Sequence, residues 1–513
     1  MSNKFKVLSL LMIASLLLTF SITSGFANET APLSTPSCTE MGDCNRDGEV
    51  DYLDAMLVLQ YHTGIVGDDA LVLPCCDVDN SGDVDYLDAM LVLQYHTGAI
   101  DKLPATGRHM FVDGICIVCG QSNLQKELYL EDLNQLMQPL FAGNTVHNET
   151  VMFLDRGDVK PLLYPIDSIQ SVTSYDGTVV YQEGKDYVIE NGNIKVTENS
   201  AIPCITSDYF YNFPGGEFLA RRPDGTLCRV YYGGGDAMAK WQVNVNYTHS
   251  ATWDGFTQTS YAETYQKFLQ KLQSGENVTI LFYGDSITFG ADASSATNFA
   301  PYQPPYTVLF TQALADLYDY TIHYVDTPFT NTCVVPASDY VAGTRGTITY
   351  VNTAVGGWTS ADGVNNLGHY VMDYIQTYGC DLLVLAYGMN DGATIPKNTI
   401  TNFKAMSDAV LHASPDASLL FVSTMVPNPN ASILWSGTQF LQEKPLLTLA
   451  ESYRNGGAPC SVACMTSVSQ AVLEHKEFED YSGNNINHPN DYFSRIYAQT
   501  LLQTLIGYEN LIS

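Results

Sequence analysis

Three stretches in the second half of the chain place a polar residue or a glycine directly after an apolar run. Ser286 stands in "ILFYGDSITFG", Gly357 in "NTAVGGWTS" and Asn390 in "LAYGMND". A histidine, His488, follows in "NNINHPND" near the C-terminus. Acyl transfer requires a nucleophile, a base that activates it, and donors for the oxyanion that forms. Ser286 is the candidate nucleophile and His488 the candidate base. The candidate oxyanion donors are the amides of Ser286 and Gly357 and the side chain of Asn390.

The elements that must position these residues form an alternating pattern. Apolar segments such as "YTIHYVDT", "CDLLVLAY" and "ASLLFVSTMV" recur after residue 277, and polar or helical segments separate them. This alternation predicts an α/β domain whose parallel sheet is covered by helices on both faces. In such a sheet, functional residues gather at the carboxyl ends of the strands. Of the ten histidines in the sequence, His488 is the one that follows the last strand and precedes a proline and a helix start.

In this order, the four residues resemble the SGNH (GDSL-type) hydrolase family over about residues 275–510. The resemblance implies a flavodoxin-like three-layer catalytic domain at residues 270–513 that cleaves carboxylic esters. It assigns the nucleophile to Ser286 and the base to His488. It assigns the oxyanion hole to Ser286, Gly357 and Asn390.

The partner of His488 is left open by the sequence. The family usually carries an aspartate three residues before this histidine, and here that position holds Asn485. An amide can hold the imidazole, but it cannot stabilise the charged form as a carboxylate does. Three readings follow. They are a Ser–His dyad held by Asn485 or a backbone carbonyl, a substitute acid from Asp480 or Asp491, and an enzyme that is weakened or inactive.

Residues 43–64 and 77–98 are near copies of each other. Each copy opens on a loop with oxygen-bearing side chains at positions 1, 3, 5, 9 and 12, a glycine at position 6 (Gly48 and Gly82), and a backbone carbonyl at position 7. A hard cation such as Ca²⁺ takes about six to eight oxygens at this spacing. The predicted ligands of two structural calcium ions are Asp43, Asn45, Asp47, Glu49, Asp51 and Asp54, and Asp77, Asp79, Ser81, Asp83, Asp85 and Asp88.

The helical segment "YLDAMLVLQYH" leaves each loop, and no helical segment enters either one. Two such units in an exported chain resemble a type I dockerin, here over residues 40–103. The resemblance implies a small all-α, calcium-binding module that docks onto a cohesin of a cellulosomal scaffoldin. Its recognition positions correspond to Tyr52 and Leu53 in the first copy and to Tyr86 and Leu87 in the second.

Residues 126–265 alternate β-branched or aromatic residues with polar ones, broken by Asp-Gly and Asn-Gly pairs. This pattern predicts hairpins and a β-sandwich, jelly-roll-like accessory domain. Some esterases of plant cell-wall carbohydrate have such a domain ahead of the catalytic one. Residues 104–125 form a linker, in which Cys116 and Cys119 leave zinc binding with His109, a disulfide and free thiols all open.

The first 27 residues combine two lysines, an apolar core and small residues at a cleavage site, as in a secretory signal peptide. We therefore expect a secreted protein without a membrane-spanning segment. The chain has 23 basic and 55 acidic residues, a net charge of −32, which disfavours nucleic acid as a partner. The pairing of its twelve cysteines stays open.

The sequence thus predicts a secreted, cellulosome-associated serine esterase that removes O-acetyl groups from hemicellulose, as an acetyl xylan esterase does. Its chemistry would use no cofactor. Its partners would be a cohesin and an acetylated plant cell-wall polysaccharide. Two alternatives stay open: a lipase or thioesterase of the same fold, and a catalytically silent carbohydrate-binding component of the cellulosome.

Overall fold

The computed structural model describes residues 41–67, 70–78, 84, 86–97, 103, 111–112, 115–116, 137–214, 218–327, 336, 338–431 and 437–507. They belong to two compact units, divided between Thr106 and Gly107. The predicted signal peptide lies outside the described residues, as do His109 and Cys119 of the proposed zinc or disulfide turn. Within the described ranges, no helix has the length and apolar character needed to cross a bilayer.

The first unit is built from helices. They are α1 (Tyr52–His62), α2 (Leu73–Cys76) and α3 (Tyr86–His96). Asp51 caps α1, because its side chain accepts a hydrogen bond from the amide of Leu53 at 2.7 Å. The amide of Asp51 donates in return to the side chain of Asp54 at 2.9 Å, which completes a capping box. The helices α1 and α3 have the same sequence and pack against each other. Their buried residues include Ala55, Val58, Ala89 and Val92.

The second unit begins with a β-rich region that also contains the short helices α4 (Ser207–Tyr211) and α5 (Asp236–Ala239). Its strands are β1 (Phe111–Val112), β2 (Ile115–Cys116), β3 (Thr145–Met152), β4 (Val159–Lys160), β5 (Ser168–Ser174), β6 (Val180–Tyr181), β7 (Tyr187–Glu190), β8 (Asn193–Val196), β9 (Leu219–Arg221), β10 (Leu227–Arg229) and β11 (Gln242–Thr248). They form antiparallel sheets of order β3-β11-β5-β6 and β4-β8-β7, together with the ribbons β1-β2 and β9-β10. The predicted jelly-roll-like sandwich is not shown by this arrangement.

The rest of the second unit alternates strands and helices. Its strands are β12 (Val278–Gly284), β13 (Thr321–Tyr324), β14 (Tyr340–Val341), β15 (Thr347–Asn352), β16 (Leu382–Ala386), β17 (Ser418–Val422) and β18 (Cys460–Ala463). Its α-helices are α6 (Gln266–Ser274), α7 (Ser286–Phe289), α8 (Tyr306–Tyr318), α9 (Ser360–Asn365), α10 (Asp373–Tyr378), α11 (Pro396–Ala413), α12 (Glu443–Asn455), α13 (Met465–Leu473), α14 (Phe478–Tyr481) and α15 (Asp491–Leu505).

These strands form one sheet of order β14-β13-β15-β12-β16-β17-β18, in which only the β13–β14 pair is antiparallel. Without β14 and β13, the remaining strands β15-β12-β16-β17-β18 have the order 2-1-3-4-5 when they are numbered along the chain. This is the flavodoxin-like order. The coarse expectation of an α/β fold with a flavodoxin-like core is thus confirmed, and the order reverses at β12.

Both faces of this sheet are covered. Along β12, Ile280 and Phe282 join one hydrophobic cluster, while Leu281 and Tyr283 join a second. The first cluster includes residues of α8 and α15, and the second includes residues of α11 and α12. The continuous burial of β12 therefore follows from helices on either side, which gives three layers.

The β-rich region shares the first of these clusters with the seven-stranded sheet. A fully buried ion pair also joins them, since Lys476 Nζ lies 2.6 Å from Glu149 Oε1 with both side chains at 0% exposure. The hydroxyl of Tyr247 donates to the other oxygen of Glu149 at 2.7 Å. The predicted border between residues 126–265 and 270–513 therefore does not coincide with a gap in packing.

Candidate active site and calcium loops

Ser286 is the first residue of α7 and comes directly after β12 and Asp285. Asp285 caps this short helix, because its carboxylate accepts a hydrogen bond from the amide of Ile287 at 3.1 Å. A side chain at Gly284 would lie 2.4 Å from the carbonyl oxygen of Ala386, so only glycine fits there. The turn holds the serine at the carboxyl end of the strand where the sheet order reverses, which is where α/β sheets place their sites.

His488 lies in the loop between α14 and α15, and both nitrogens of its ring have partners. Nε2 lies 2.9 Å from Oγ of Ser286. Nδ1 lies 2.6 Å from Oδ2 of Asp292. A carboxylate at Nδ1 favours the tautomer that carries its proton there, so that Nε2 can accept one. The structure brings the predicted nucleophile and base together, with an acid that sequence reasoning missed.

The side chain of Asp292 is packed between the turn at Gly234 and Gly235 and the loop that contains Gly483. Its backbone is left-handed, with a φ of 62°, a conformation that aspartate tolerates better than most residues. Its Oδ1 accepts a hydrogen bond from the amide of Gly235 at 3.0 Å. A Cβ on Gly234 would lie 2.8 Å from that oxygen, and a Cβ on Gly483 would lie 2.6 Å from Cβ of Asp292. Glycines of the β-rich region and of the histidine loop therefore make room for this carboxyl group.

The sequence carries a weak signal of this acid. Asp292 follows Ser286 by only six residues, but α7 has four residues and is followed by Gly290, whose φ is 102°. A glycine at that position turns the chain away from the helix axis. An acid in the first turn after so short a helix stays near the helix N-terminus, and therefore near the nucleophile.

Asn485 does not support the imidazole, which corrects the expected dyad. Its Nδ2 donates to the carbonyl of Tyr231 at 2.7 Å, and its Oδ1 accepts from Nδ2 of Asn428 at 3.1 Å. The side chain is fully buried, and the backbone φ is 61°. Asn485 uses its amide to tie the histidine loop to the β-rich region, while Asp292 occupies the position at Nδ1 of the histidine.

Asp491 and Asp480, the expected substitute acids, also have other partners. Asp491 accepts a hydrogen bond from the amide of Ser294 at 2.9 Å, and desolvation raises its pKa to about 6. Asp480 accepts from the amide of Met152 at 2.8 Å. Neither is the partner of the imidazole, whose Nδ1 is held by Asp292. Asp491 instead holds the backbone two residues after Asp292.

Gly357 and Asn390 follow β15 and β16, the two strands that flank β12. Gly357 has a φ of 81°. The residue before it adjoins the serine, because a Cβ on Gly356 would lie 3.9 Å from Cβ of Ser286. Nδ2 of Asn390 donates to the carbonyl of Trp358 at 2.9 Å, which fixes the orientation of that amide. The two predicted oxyanion donors thus stand on loops that border the nucleophile.

Two buried carboxyl groups, those of Asp285 and Asp391, accept hydrogen bonds from the backbone of these segments. Desolvation raises the pKa of Asp285 to about 7, and its second oxygen accepts from the amide of Met389 at 3.3 Å. Asp391 accepts from the amide and the hydroxyl of Ser360 at 3.0 and 2.8 Å, and burial raises its pKa. These bonds connect the serine turn and the asparagine loop to the body of the domain.

In the first Asp-rich loop, residues 43–54, carboxylates accept hydrogen bonds from amides of the loop. Asp43 Oδ2 accepts from the amide of Gly48 at 3.2 Å, and Asp54 Oδ2 accepts from that of Asp51 at 2.9 Å. Gly48 makes the sharp turn with a φ of 89°. Oδ1 of Asp43 is buried and has no hydrogen-bond partner. A buried carboxylate oxygen without a donor is suited to a cation.

The second loop repeats the closing bond of the first. Oδ1 of Asp88 accepts from the amide of Val78 at 2.7 Å, as Oδ1 of Asp54 accepts from that of Cys44 at 2.8 Å. The remaining predicted ligands here lie outside the described residues, apart from Asp77. They are Asp79, Ser81, Asp83 and Asp85.

A family model for the dockerin type I domain matches residues 41–96, which contain both loops and both long helices. This part of the chain is a type I dockerin. The resemblance noted from the loop–helix repeat is therefore confirmed, and with it the coarse expectation of calcium binding. The chain matches no curated protein in sequence.

The first loop of the dockerin fits calcium by its donor set. All the donors are hard oxygens, as Ca²⁺ prefers, and one of them is the orphaned oxygen of Asp43. Among the described residues, no group of three or more His, Cys, Asp or Glu side chains is drawn together as around a bound metal. The predicted coordination sphere also uses Asn45 and the carbonyl of Glu49. A count of two ions stays a prediction.

The dockerin exposes the residues expected to contact a cohesin. Tyr52 and Tyr86 are 51% and 55% exposed, and Leu53 is 38% exposed, while the side chain of Leu87 lies outside the described part. The ring of Tyr52 lies 6.2 Å from that of His96, and the ring of Tyr86 lies 6.0 Å from that of His62. The two helices therefore present the same ring pair with their roles exchanged. Cohesin binding through these residues stays a prediction.

Solved structures share a limited likeness with the chain. A two-domain esterase active on acetylated mannans is 16% identical over 48% of this chain and 53% of its own, with a TM-score of 0.33. A carbohydrate esterase of family 3 from Talaromyces cellulolyticus is 15% identical over 44% and 94%, with a TM-score of 0.31. A catalytic mutant of an acetylxylan esterase from Geobacillus stearothermophilus is 14% identical over 45% and 94%, with a TM-score of 0.30. The chain spans about half the length of the mannan esterase. Likenesses this weak carry no argument about activity.

Proposed function

We propose that this protein is a secreted, cellulosome-associated serine esterase that removes O-acetyl groups from hemicellulose, as an acetyl xylan esterase does. One observation carries the proposal. Asp292 Oδ2 lies 2.6 Å from Nδ1 of His488, whose Nε2 lies 2.9 Å from Oγ of Ser286. This line of groups supplies a nucleophile, its base and a support for the charged base, and it serves acyl transfer on unrelated folds.

In the first step, Nε2 of His488 accepts the hydroxyl proton of Ser286 while Oγ attacks the acetyl carbonyl carbon. The amides of Ser286 and Gly357 and the side chain of Asn390 donate hydrogen bonds to the resulting oxyanion. His488 then gives the proton to the sugar oxygen as the bond between that oxygen and the acetyl carbon breaks. The deacetylated sugar leaves, and the acetyl group stays on Oγ of Ser286.

In the second step, water gives a proton to His488 and attacks the acetyl carbonyl. The intermediate collapses, the proton returns to Oγ of Ser286, and acetic acid leaves and ionises to acetate in water. The carboxylate of Asp292 stabilises the imidazolium in both steps without taking its proton. These side chains make all the proton transfers, so the proposed mechanism uses no metal ion. Calcium is therefore assigned to the dockerin alone.

The dockerin supports the substrate class. In its family, the module docks enzymes that act on plant cell wall onto cohesins. An acetylated plant cell-wall polysaccharide is therefore the proposed substrate, and a cohesin is the proposed partner. Secretion follows as part of the same proposal, because cellulosomes assemble outside the cell.

The test is acetate release from acetylated xylan and acetylated mannan by the full chain, beside Ser286→Ala and His488→Ala. We expect release by the wild type and a fall in kcat of about 10³-fold or more in both variants. Ser260→Ala, an exposed serine outside the site, is the matched control and should keep the wild-type rate. Preference for p-nitrophenyl palmitate over acetate esters would favour the lipase or thioesterase alternative. A wild type that cleaves no ester would refute the proposal and favour a silent binding component.

A further inference from the structure

A cavity of about 340 Å³ lies between the β-rich region and the loop that follows α7. Its volume is at the lower end of the range for small-molecule sites, about 300–1,000 Å³. Neither Ser286 nor His488 lines it, so it is separate from the reacting atoms. Its walls include three aromatic and three charged side chains, those of Tyr175, Tyr181, Phe299, Asp176, Asp236 and Lys240.

This cavity and the Asp292 carboxylate share two stretches of chain. Asp236, in the cavity wall, directly follows Gly235, whose amide donates to Asp292 at 3.0 Å. Phe299, also in the lining, belongs to the same loop between α7 and α8 as Asp292. A ligand in the cavity therefore contacts the two segments that hold the acid.

The aromatic rings of the lining suit the apolar face of a sugar. Packing holds Tyr175 and Tyr181 at 6% and 7% exposure, Phe299 is half-buried, and the ring centroids of Tyr175 and Phe299 are 5.8 Å apart. The hydroxyl of Tyr175 accepts a hydrogen bond from the amide of Asp491 at 3.1 Å, which helps to fix the ring. Rings held by packing offer a rigid contact surface at little cost in conformational entropy.

The charged side chains of the lining can hydrogen-bond to hydroxyl groups and repel a negatively charged ligand. Asp176, Asp236 and Lys240 are all exposed. Carboxylates accept hydrogen bonds from hydroxyls, and an ammonium group donates to them. Two negative charges against one positive charge repel an anionic sugar such as a uronic acid. A neutral, hydroxyl-rich ring agrees with both the charges and the aromatic surface.

We propose that this cavity is a subsite for a neutral pyranose unit of the polysaccharide chain that carries the acetyl ester. The proposal rests on the proposed esterase function and extends it to the choice of substrate. Binding of a sugar unit away from the reacting ester would position the acetyl group at Ser286, so that remote binding energy assists the reaction. An aryl acetate without a sugar chain gains nothing from the subsite.

The first test compares acetylated xylan with p-nitrophenyl acetate in Asp236→Ala and Lys240→Ala. We expect the ratio of kcat/KM for xylan to kcat/KM for p-nitrophenyl acetate to fall about tenfold, mainly through KM for xylan. Asp208→Ala and Lys185→Ala change exposed residues of the β-rich region outside the cavity lining, and they should leave the ratio unchanged. Equal losses on both substrates would overturn the proposal, because the change would then act through Asp292 and His488.

The second test does not depend on turnover. Ser286→Ala protein is titrated calorimetrically with xylohexaose, with mannohexaose and with a xylo-oligosaccharide that carries glucuronic acid. We expect one neutral oligosaccharide to bind at least about fivefold more tightly than the acidic one, and Lys240→Ala to weaken that binding. Equal affinity for the acidic sugar, or no binding of either neutral sugar, would overturn the subsite. Binding by a protein whose wild type releases no acetate would refute the esterase function but not the subsite.

Discussion

Replacement of Asp292 by asparagine tests the site most directly. Its Oδ1 accepts from the amide of Gly235 at 3.0 Å, and its Oδ2 lies 2.6 Å from Nδ1 of His488. An asparagine keeps its oxygen towards Gly235, because the reverse orientation would set its NH₂ against an N–H group. Its NH₂ then faces Nδ1 of His488, which places the imidazole proton on Nε2. That nitrogen can no longer accept the proton of Ser286.

The magnitude follows from the charge that is lost. At an effective dielectric constant of about 20, unit charges about 4 Å apart interact by about 4 kcal/mol. The side chains of His488 and Asp292 are only 17% and 7% exposed, so solvent screens little of this interaction. Since about 1.4 kcal/mol corresponds to a tenfold change in rate, we expect kcat of Asp292→Asn to fall by about 10³-fold. KM should change much less, because the acid does not touch the substrate.

The assay is steady-state hydrolysis of p-nitrophenyl acetate by the full chain, with circular dichroism to verify the fold. Asn485→Ala is the comparison, because Asn485 bonds to Tyr231 and Asn428 rather than to the imidazole. It should lower kcat far less than Asp292→Asn does. A loss of less than tenfold in Asp292→Asn, or a larger loss in Asn485→Ala, would refute the assignment of the acid and restore the dyad.

Four further predictions concern the fold, the histidine loop, pH and calcium. Lys476→Met leaves the fully buried carboxylate of Glu149 without its ion-pair partner at 2.6 Å, so the unfolding free energy in urea should fall by about 3–5 kcal/mol. A loss below about 1 kcal/mol would contradict the burial of the pair. Asn485→Asp sets a carboxylate oxygen against the carbonyl of Tyr231, so Tm should fall and kcat should not rise. A rise in kcat would show that this position supports the base after all. Desolvation raises the pKa of Asp285 to about 7 in the folded state, so the folded protein binds more protons there than the unfolded chain. The contribution of this group to stability is full below pH 4 and is lost as the pH rises through about 7, so Tm should be lower at pH 8 than at pH 5. Asp285→Asn should reduce that difference, and an unchanged difference would assign the pH dependence to other groups. Chelation of calcium should reduce the helical signal of the dockerin and its binding to a cohesin, with kcat on p-nitrophenyl acetate unchanged. A parallel fall in kcat would contradict the assignment of calcium to the dockerin alone.

Much of the local structure around the site could be predicted from the sequence. Ser286, Gly357 and Asn390 each follow a buried strand, and the alternation of strands with helical segments indicates that parallel strand ends share one edge. The dockerin could be predicted for the same reason, since the ligand spacing, the turn glycine and the helix cap all lie within one loop. Such features depend on neighbours in the chain, which a sequence pattern records.

The position of His488 could also be predicted from the sequence, but its carboxylate partner could not. His488 and Asp292 are 196 residues apart in the chain. The amide that orients the acid belongs to Gly235, in a region that sequence reasoning assigned to a separate accessory domain. No pattern in the local sequence connects the left-handed turn at Asp292, after the four-residue helix α7, with the glycine turn at Gly235 in the β-rich region.

Strand, turn and loop preferences are local, so the amino-acid pattern was enough to predict the candidate nucleophile, the candidate oxyanion donors and the strand ends on which they stand. Which carboxylate reaches the histidine depends on contacts between distant segments. Only the tertiary structure also decided that Asn485 donates to the carbonyl of Tyr231 instead. The physical reason is that buried polar groups take the partners that packing supplies, and here that packing joins segments far apart in the chain.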